Sequence, residues 1–388
     1  MKLMQRISRI CLPMLLIAAA LGVYRISAIS AEADSIAAAR RDPWTIAPRY
    51  DEPPVVTDEQ LSAVLERVKP PAKQVNTNNF VHALRLWGPA ADFGDPQIPS
   101  GSELRSYFLD DRVFQKLAGP QAPPLLYRGP DGLAARSFDD QIAFRETSSY
   151  HLDDLLATLA ETGTPLDAAL HLRDGEATVA DLLEGSLQRF HLRRLEYEWS
   201  TIVYARYVFP QREWRNKYGE RIDVSRLIDE CLQPPLPAGQ CNGLHRLEAL
   251  AVLYRADEQA HALSARNKQR ILAHLRQVSQ LLTEAQAIDG YWNRAWPAGK
   301  AAAADKSATI YDKILVTGHQ LEWLALAPEE VQPPRETIVR AGQWLTRALL
   351  ELDETQLLAA YGPYSHAARA LCLWRSVEPF AAWQRGNK

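Results

Sequence analysis

Two kinds of helical segment alternate along the C-terminal part of this chain, and that alternation limits what it can fold into. "LEALAVLY" and "LEWLALA" are apolar on nearly every side, whereas "KQRILAHLRQVSQLLTEA" and "RETIVRAGQWLTRALLEL" keep a clear polar face. A helix that is apolar all round must be covered on every side, and an amphipathic one lies between core and water. Helical periodicity dominates from about residue 76 onward, with no convincing period-two alternation. The pattern predicts an all-α fold: an α/α toroid, a barrel of helical hairpins with inner and outer helix rings.

A weak internal repeat follows the apolar helices. "HRLEAL" from His245 and "HQLEWL" from His319 share His, Leu, Glu and Leu at identical offsets. "HAARAL" from His366 keeps the histidine, a charged residue three later and the closing leucine, and "HLDDLL" from His151 is a looser copy. Positions i and i+3 share one helix face. His245 with Glu248, His319 with Glu322, and His366 with Arg369 are therefore candidates to face a common cavity. The repeat places each histidine at a helix N-terminus, where the helix dipole disfavours the imidazolium and leaves the neutral ring a general base needs.

The chain has 388 residues, 47% of them hydrophobic, which is enough for a substantial core. A net charge of −3 with interspersed signs gives no electrostatic footprint for nucleic acid. Residues 1–34 carry Lys2, Arg6 and Arg9, then the apolar run "CLPMLLIAAALGVY", then small residues, and this reads as an export signal or N-terminal anchor. Residues 35–75 are a Pro- and charge-rich linker with one short helix, and residues 76–388 form the toroid domain. The expected location is extracytoplasmic, with membrane contact only through an uncleaved N-terminal segment.

Oxidising compartments preserve disulfides, and Cys231 and Cys241 flank a flexible loop, so they are candidates for a bridge, with two buried free thiols as the other reading. Cys241 and His245, four apart, also make half of a metal-binding pattern that His319 or His366 could complete. No second close-spaced ligand pair makes that spacing diagnostic, so no metal and no cofactor is assigned.

Gln286, Asp289, Gly290 and Trp292 form Q-x-x-D-G-x-W after a helix. This resembles the QW repeat of the terpenoid cyclase and protein prenyltransferase superfamily, and the resemblance implies an α/α toroid. The D-x-D-D acid of squalene-hopene-type cyclases and a D-x-C zinc pair are both absent, so neither chemistry is carried over. "GHQLEW" and "YGPYSHAAR" are similar to motifs of the N-acylglucosamine 2-epimerase superfamily. There, two histidines exchange protons at the sugar carbon next to the carbonyl. The resemblance implies His366 as one of the pair, with either His319 or His245 as the other.

The resulting expectation is a central His/Glu-lined pocket for a small-molecule ligand, sugar-like or apolar. Tyr361, Tyr364, Trp292, Trp296 and Trp323 are candidates to stack on it. Acid/base chemistry on a carbohydrate is one reading. A non-catalytic toroid that binds a ligand or protein, and an isoprenoid-handling toroid, are the alternatives.

Overall fold

The computed structural model describes residue 17 and residues 19–22, 41–72, 76–137, 145–192, 196–211 and 213–387. Most of the segment expected to direct export lies outside these residues. Among them, no helix is long and apolar enough to cross a membrane.

The fold is mostly helical. Six buried helices position the site: α1 (Thr77–Trp87), α2 (Asp154–Glu161), α3 (Glu198–Tyr207), α4 (Leu244–Ala260), α5 (Ile310–Leu326) and α6 (Tyr361–Trp374). Each packs on the next in chain order, and α6 packs back on α1. In α5 every side chain from Ile314 to Leu326 is buried. The closest approach is between α5 and α6, where a Cβ on Gly318 would lie 3.0 Å from Ala367.

Amphipathic helices cover this set. In Ala265–Ala285 the buried residues Ile271, Leu275, Val278 and Leu282 recur at helical spacing. Buried apolar side chains from Val55 to Ala382 join in one contiguous core.

Among the described residues, three two-stranded antiparallel hairpins, spanning 126–135, 169–178 and 213–223, interrupt the helices. Their strands have only three or four residues, too few for alternation to register in the sequence.

Residues 41–56, whose composition suggested a tether, are strapped to the helical body. The Trp44 indole donates to the Phe209 carbonyl at 3.1 Å, and Tyr50 stacks on Trp374 with ring centroids 4.9 Å apart. Arg375 holds the strap through Asp51 and the Val56 carbonyl.

The Q-x-x-D-G-x-W turn has a clear physical basis. The Gln286 amide donates to the Gly290 and Thr337 carbonyls, both at 2.8 Å, and the Trp292 indole donates to the Leu282 carbonyl at 2.8 Å. Gly290 has φ +109°, and a Cβ there would lie 2.5 Å from the Arg340 carbonyl oxygen.

Candidate functional site

At one end of the six helices the imidazoles of His245, His319 and His366 meet. Their ring centroids are 5.1 Å apart for His245 and His319, 5.8 Å for His245 and His366, and 4.2 Å for His319 and His366. Two more rings join them. His151, just before α2, lies 4.8 Å from His245, and His82 of α1 lies 5.1 Å from His366. All five rings are buried. Helix α3 brings Trp199, whose ring lies 4.7 Å from His245.

Hydrogen bonds hold four of the rings through Nδ1. The Nδ1 of His319 donates to the Leu315 carbonyl at 2.8 Å, and that of His82 to the Asn78 carbonyl at 2.7 Å. The Nδ1 of His366 donates to Glu322 at 2.7 Å, and that of His151 to Glu196 at 3.4 Å. Within the cluster the Nε2 atoms of His245 and His319 lie 3.2 Å apart. The Nε2 of His366 is buried without a hydrogen-bond partner.

Cys241 completes the group. It and Asn242 occupy left-handed backbone at φ 46° and 60°, a conformation that costs non-glycine residues about 1–2 kcal/mol. Glu196 holds this turn by accepting from the Gln240 backbone N–H at 2.6 Å while it also orients His151. The Cys241 sulfur and one ring nitrogen each of His151 and His245 lie within 4.8 Å of one another. Cys231 and Cys241 are therefore free thiols and not a bridge. Cys231 is buried on its own helix, while the left-handed turn aims Cys241 at the histidines.

Charge in the cluster follows from burial and contacts. Burial drives His245 and His366 well below the usual histidine value and His82 down to about 3. Burial also opposes charge on His151 and His319, but hydrogen bonds and attraction to Cys241 outweigh it and raise them to about 10 and about 9. The facing imidazoles hold the Cys241 thiol well below its ordinary value against the cost of burial.

One helical turn deeper lies a layer of ions. Arg369 contacts Glu322, Glu248 at 3.3 Å and Glu161 at 3.6 Å. Arg85 and Arg206 reach Glu161 at 2.8 and 3.5 Å. Burial pushes Glu248 up to about 8, with the neighbouring Glu322 adding to the rise.

The i, i+3 pairs thus share a face, but their contacts run between helices: Glu322 of α5 orients His366 of α6, not His319 of its own helix. His319 is also not at a helix start. The N-cap is Thr309, which accepts from the Asp312 N–H, so the helix-dipole argument for a neutral ring does not reach His319. His245 does sit in the first turn of α4, preceded by Gly243 in left-handed backbone.

Sequence reading missed His82, Arg85, Glu161, Glu196 and Arg206. A signal was present for the first two, since His82 and Arg85 repeat the offset of His366 and Arg369. With His151 and Asp154 included, five of the six buried helices bring a histidine and a charged residue three later. In the sixth, Trp199 occupies the corresponding space.

The cluster floors a cavity of about 530 Å³. Its walls include Asn76, Asn78, Asn79, Gln240, Asn242 and Tyr311, which are uncharged hydrogen-bonding groups. Of the five aromatics expected to stack on a ligand, Tyr361 lines this cavity, with its hydroxyl 3.3 Å from the Val68 carbonyl. Tyr364 is buried beside it on α6. Trp292, Trp296 and Trp323 are wholly buried in core packing and do not line it. A second cleft of about 580 Å³ runs under the strap, but none of the cluster residues reaches it.

Comparison with protein-family models, characterised proteins and solved structures returns no match.

Proposed function

We propose that this chain is an α/α toroid and an acid/base enzyme acting on a neutral, polyhydroxylated small molecule of the carbohydrate class. Support for the toroid comes from the closed order of contacts among α1 to α6, with amphipathic helices outside. Export from the cytoplasm is part of the same proposal and rests on the basic and apolar N-terminus.

One observation carries the chemistry. The Nε2 of His366 is buried and unpartnered, His366 lines the cavity, and its Nδ1 is held by Glu322. A ring kept neutral by burial and fixed in one tautomer is a ready proton acceptor. The amide-rich wall favours hydroxyl groups over an isoprenoid chain.

His319 and His366 stack with centroids 4.2 Å apart, too close for a sugar carbon between them. The geometry therefore favours one base moving a proton between adjacent carbons, as in aldose–ketose interconversion, over a two-base epimerisation.

The test is proton NMR of a panel of aldoses and ketoses incubated with the protein in D₂O. Exchange at the carbon next to the carbonyl is expected, and His366→Gln should slow it by about 10²-fold or more without loss of the fold. Exchange that survives this substitution, or no exchange with any sugar, would remove the reading.

The alternative is a silent binding toroid in which the same residues serve only as structural ties. It is favoured if His366→Gln lowers the melting temperature strongly while no ligand turns over.

A further inference from the structure

We infer that His151, Cys241 and His245 bind one divalent transition-metal ion of the zinc type, with an open position facing the cavity beside His319. This goes beyond the acid/base reading and does not depend on it.

The distances are those of a ligand set. The ligand atoms of His151, Cys241 and His245 all lie within 4.8 Å of one another, as do those of His245, His319 and His366. A tetrahedral zinc with bonds of about 2.0–2.1 Å to nitrogen and about 2.3 Å to sulfur spaces its ligand atoms about 3.3–3.6 Å apart, inside the 4.8 Å span of the first group.

The composition points the same way. A cysteine nucleophile needs one imidazole to take its proton, whereas here the rings of His151 and His245 both approach one sulfur. Thiolate and imidazole donors suit zinc and its neighbours and not magnesium or calcium.

The outer contacts also fit a metal site, in which a histidine ligand donates its other N–H to a carbonyl or carboxylate. Glu196 does this for His151, and the flanking His319 and His366 are held in the same way by the Leu315 carbonyl and Glu322. Three protein ligands with an open fourth position are the arrangement of catalytic zinc. An ion there would polarise a carbonyl or hydroxyl brought next to His319.

The test uses the full chain. Protein purified without chelator should carry one metal ion per chain by elemental analysis. Chelator-stripped protein titrated with cobalt(II) should develop intense tetrahedral visible bands and a near-ultraviolet thiolate-to-cobalt band. Cys241→Ser should abolish the thiolate band and weaken binding about 10-fold or more, while His151→Gln and His245→Gln should weaken it about 100-fold. His171→Gln, half-buried and outside the cluster, is the control and should change nothing.

Wild-type protein with neither metal nor cobalt spectrum, a thiolate band that persists in Cys241→Ser, or binding retained in both histidine variants would overturn the inference. Circular dichroism checks the fold of each variant, and the wild-type spectrum decides the matter even if a variant fails to fold. These readouts need no substrate, so their failure leaves the His366 exchange test standing, and the reverse holds.

Discussion

Glu248 and Glu322 hold the same place in the repeat, yet replacing each by glutamine should have opposite effects. The Glu322 carboxylate is fully buried and accepts from both His366 and Arg369. A glutamine there offers one oxygen, and its amide N–H₂ would face a second donor. Removing one partner of a buried ion pair costs about 3–5 kcal/mol, because the other charge stays buried. With an unfolding entropy of about 2.1 cal/mol/K per residue over roughly 340 residues, a loss of about 3 kcal/mol lowers Tm by about 4 °C.

Glu248 differs because its folded pKa is raised to about 8 from an ordinary 4.5. A raised carboxyl contributes its full stability below about pH 4.5 and loses it as pH rises through 8. At 1.36 kcal/mol per pKa unit, the wild type gives up about 3 kcal/mol between pH 5 and pH 8 that Glu248→Gln keeps. At pH 7 that variant should therefore be no less stable than wild type, and at pH 8 more stable, while Glu322→Gln is weaker throughout. Urea unfolding followed by tryptophan fluorescence at pH 5, 6, 7 and 8 measures this. Equal losses for the two variants at pH 7, or a Glu248→Gln difference that is flat with pH, would refute the reasoning.

Two further outcomes can be checked by unfolding. Burial, helped by Glu196, raises Glu198 to about 7 from 4.5, so its contribution is full at low pH and lost through neutrality. Glu198→Gln should remove about 2–3 kcal/mol of the wild-type decline between pH 5 and pH 8, and parallel urea curves for both proteins would contradict it. Gly290→Ala places a Cβ 2.5 Å from the Arg340 carbonyl in left-handed backbone, and should cost about 2 kcal/mol or more. An unchanged calorimetric melt would show that the turn tolerates a side chain.

Much of the helical order was legible because burial on every side leaves apolar residues all round the runs "LEALAVLY" of α4 and "LEWLALA" of α5, and the missing polar face is a sequence signal. The meeting of His245, His319 and His366 was legible through their shared offset to a charged residue. What stayed hidden depends on tertiary contact. That Glu322 serves His366 follows from how α5 and α6 pack, and neither segment states it alone. The repeat put His319 at a helix start, but the cap is Thr309, and Gly318 before the histidine is a contact point for Ala367. The ten-residue spacing of Cys231 and Cys241 allowed a bridge. The left-handed turn at Cys241 instead sends its sulfur the other way, and spacing alone carries no such direction.

The layer formed by Glu161, Glu248, Glu322, Arg85, Arg206 and Arg369 is buried and cross-linked directly beneath the imidazoles. For a ligand of the kind proposed above, this layer would act as a plug: entry and exit would share the side walled by Asn76, Gln240 and Tyr311, so departure of one molecule would compete with arrival of the next.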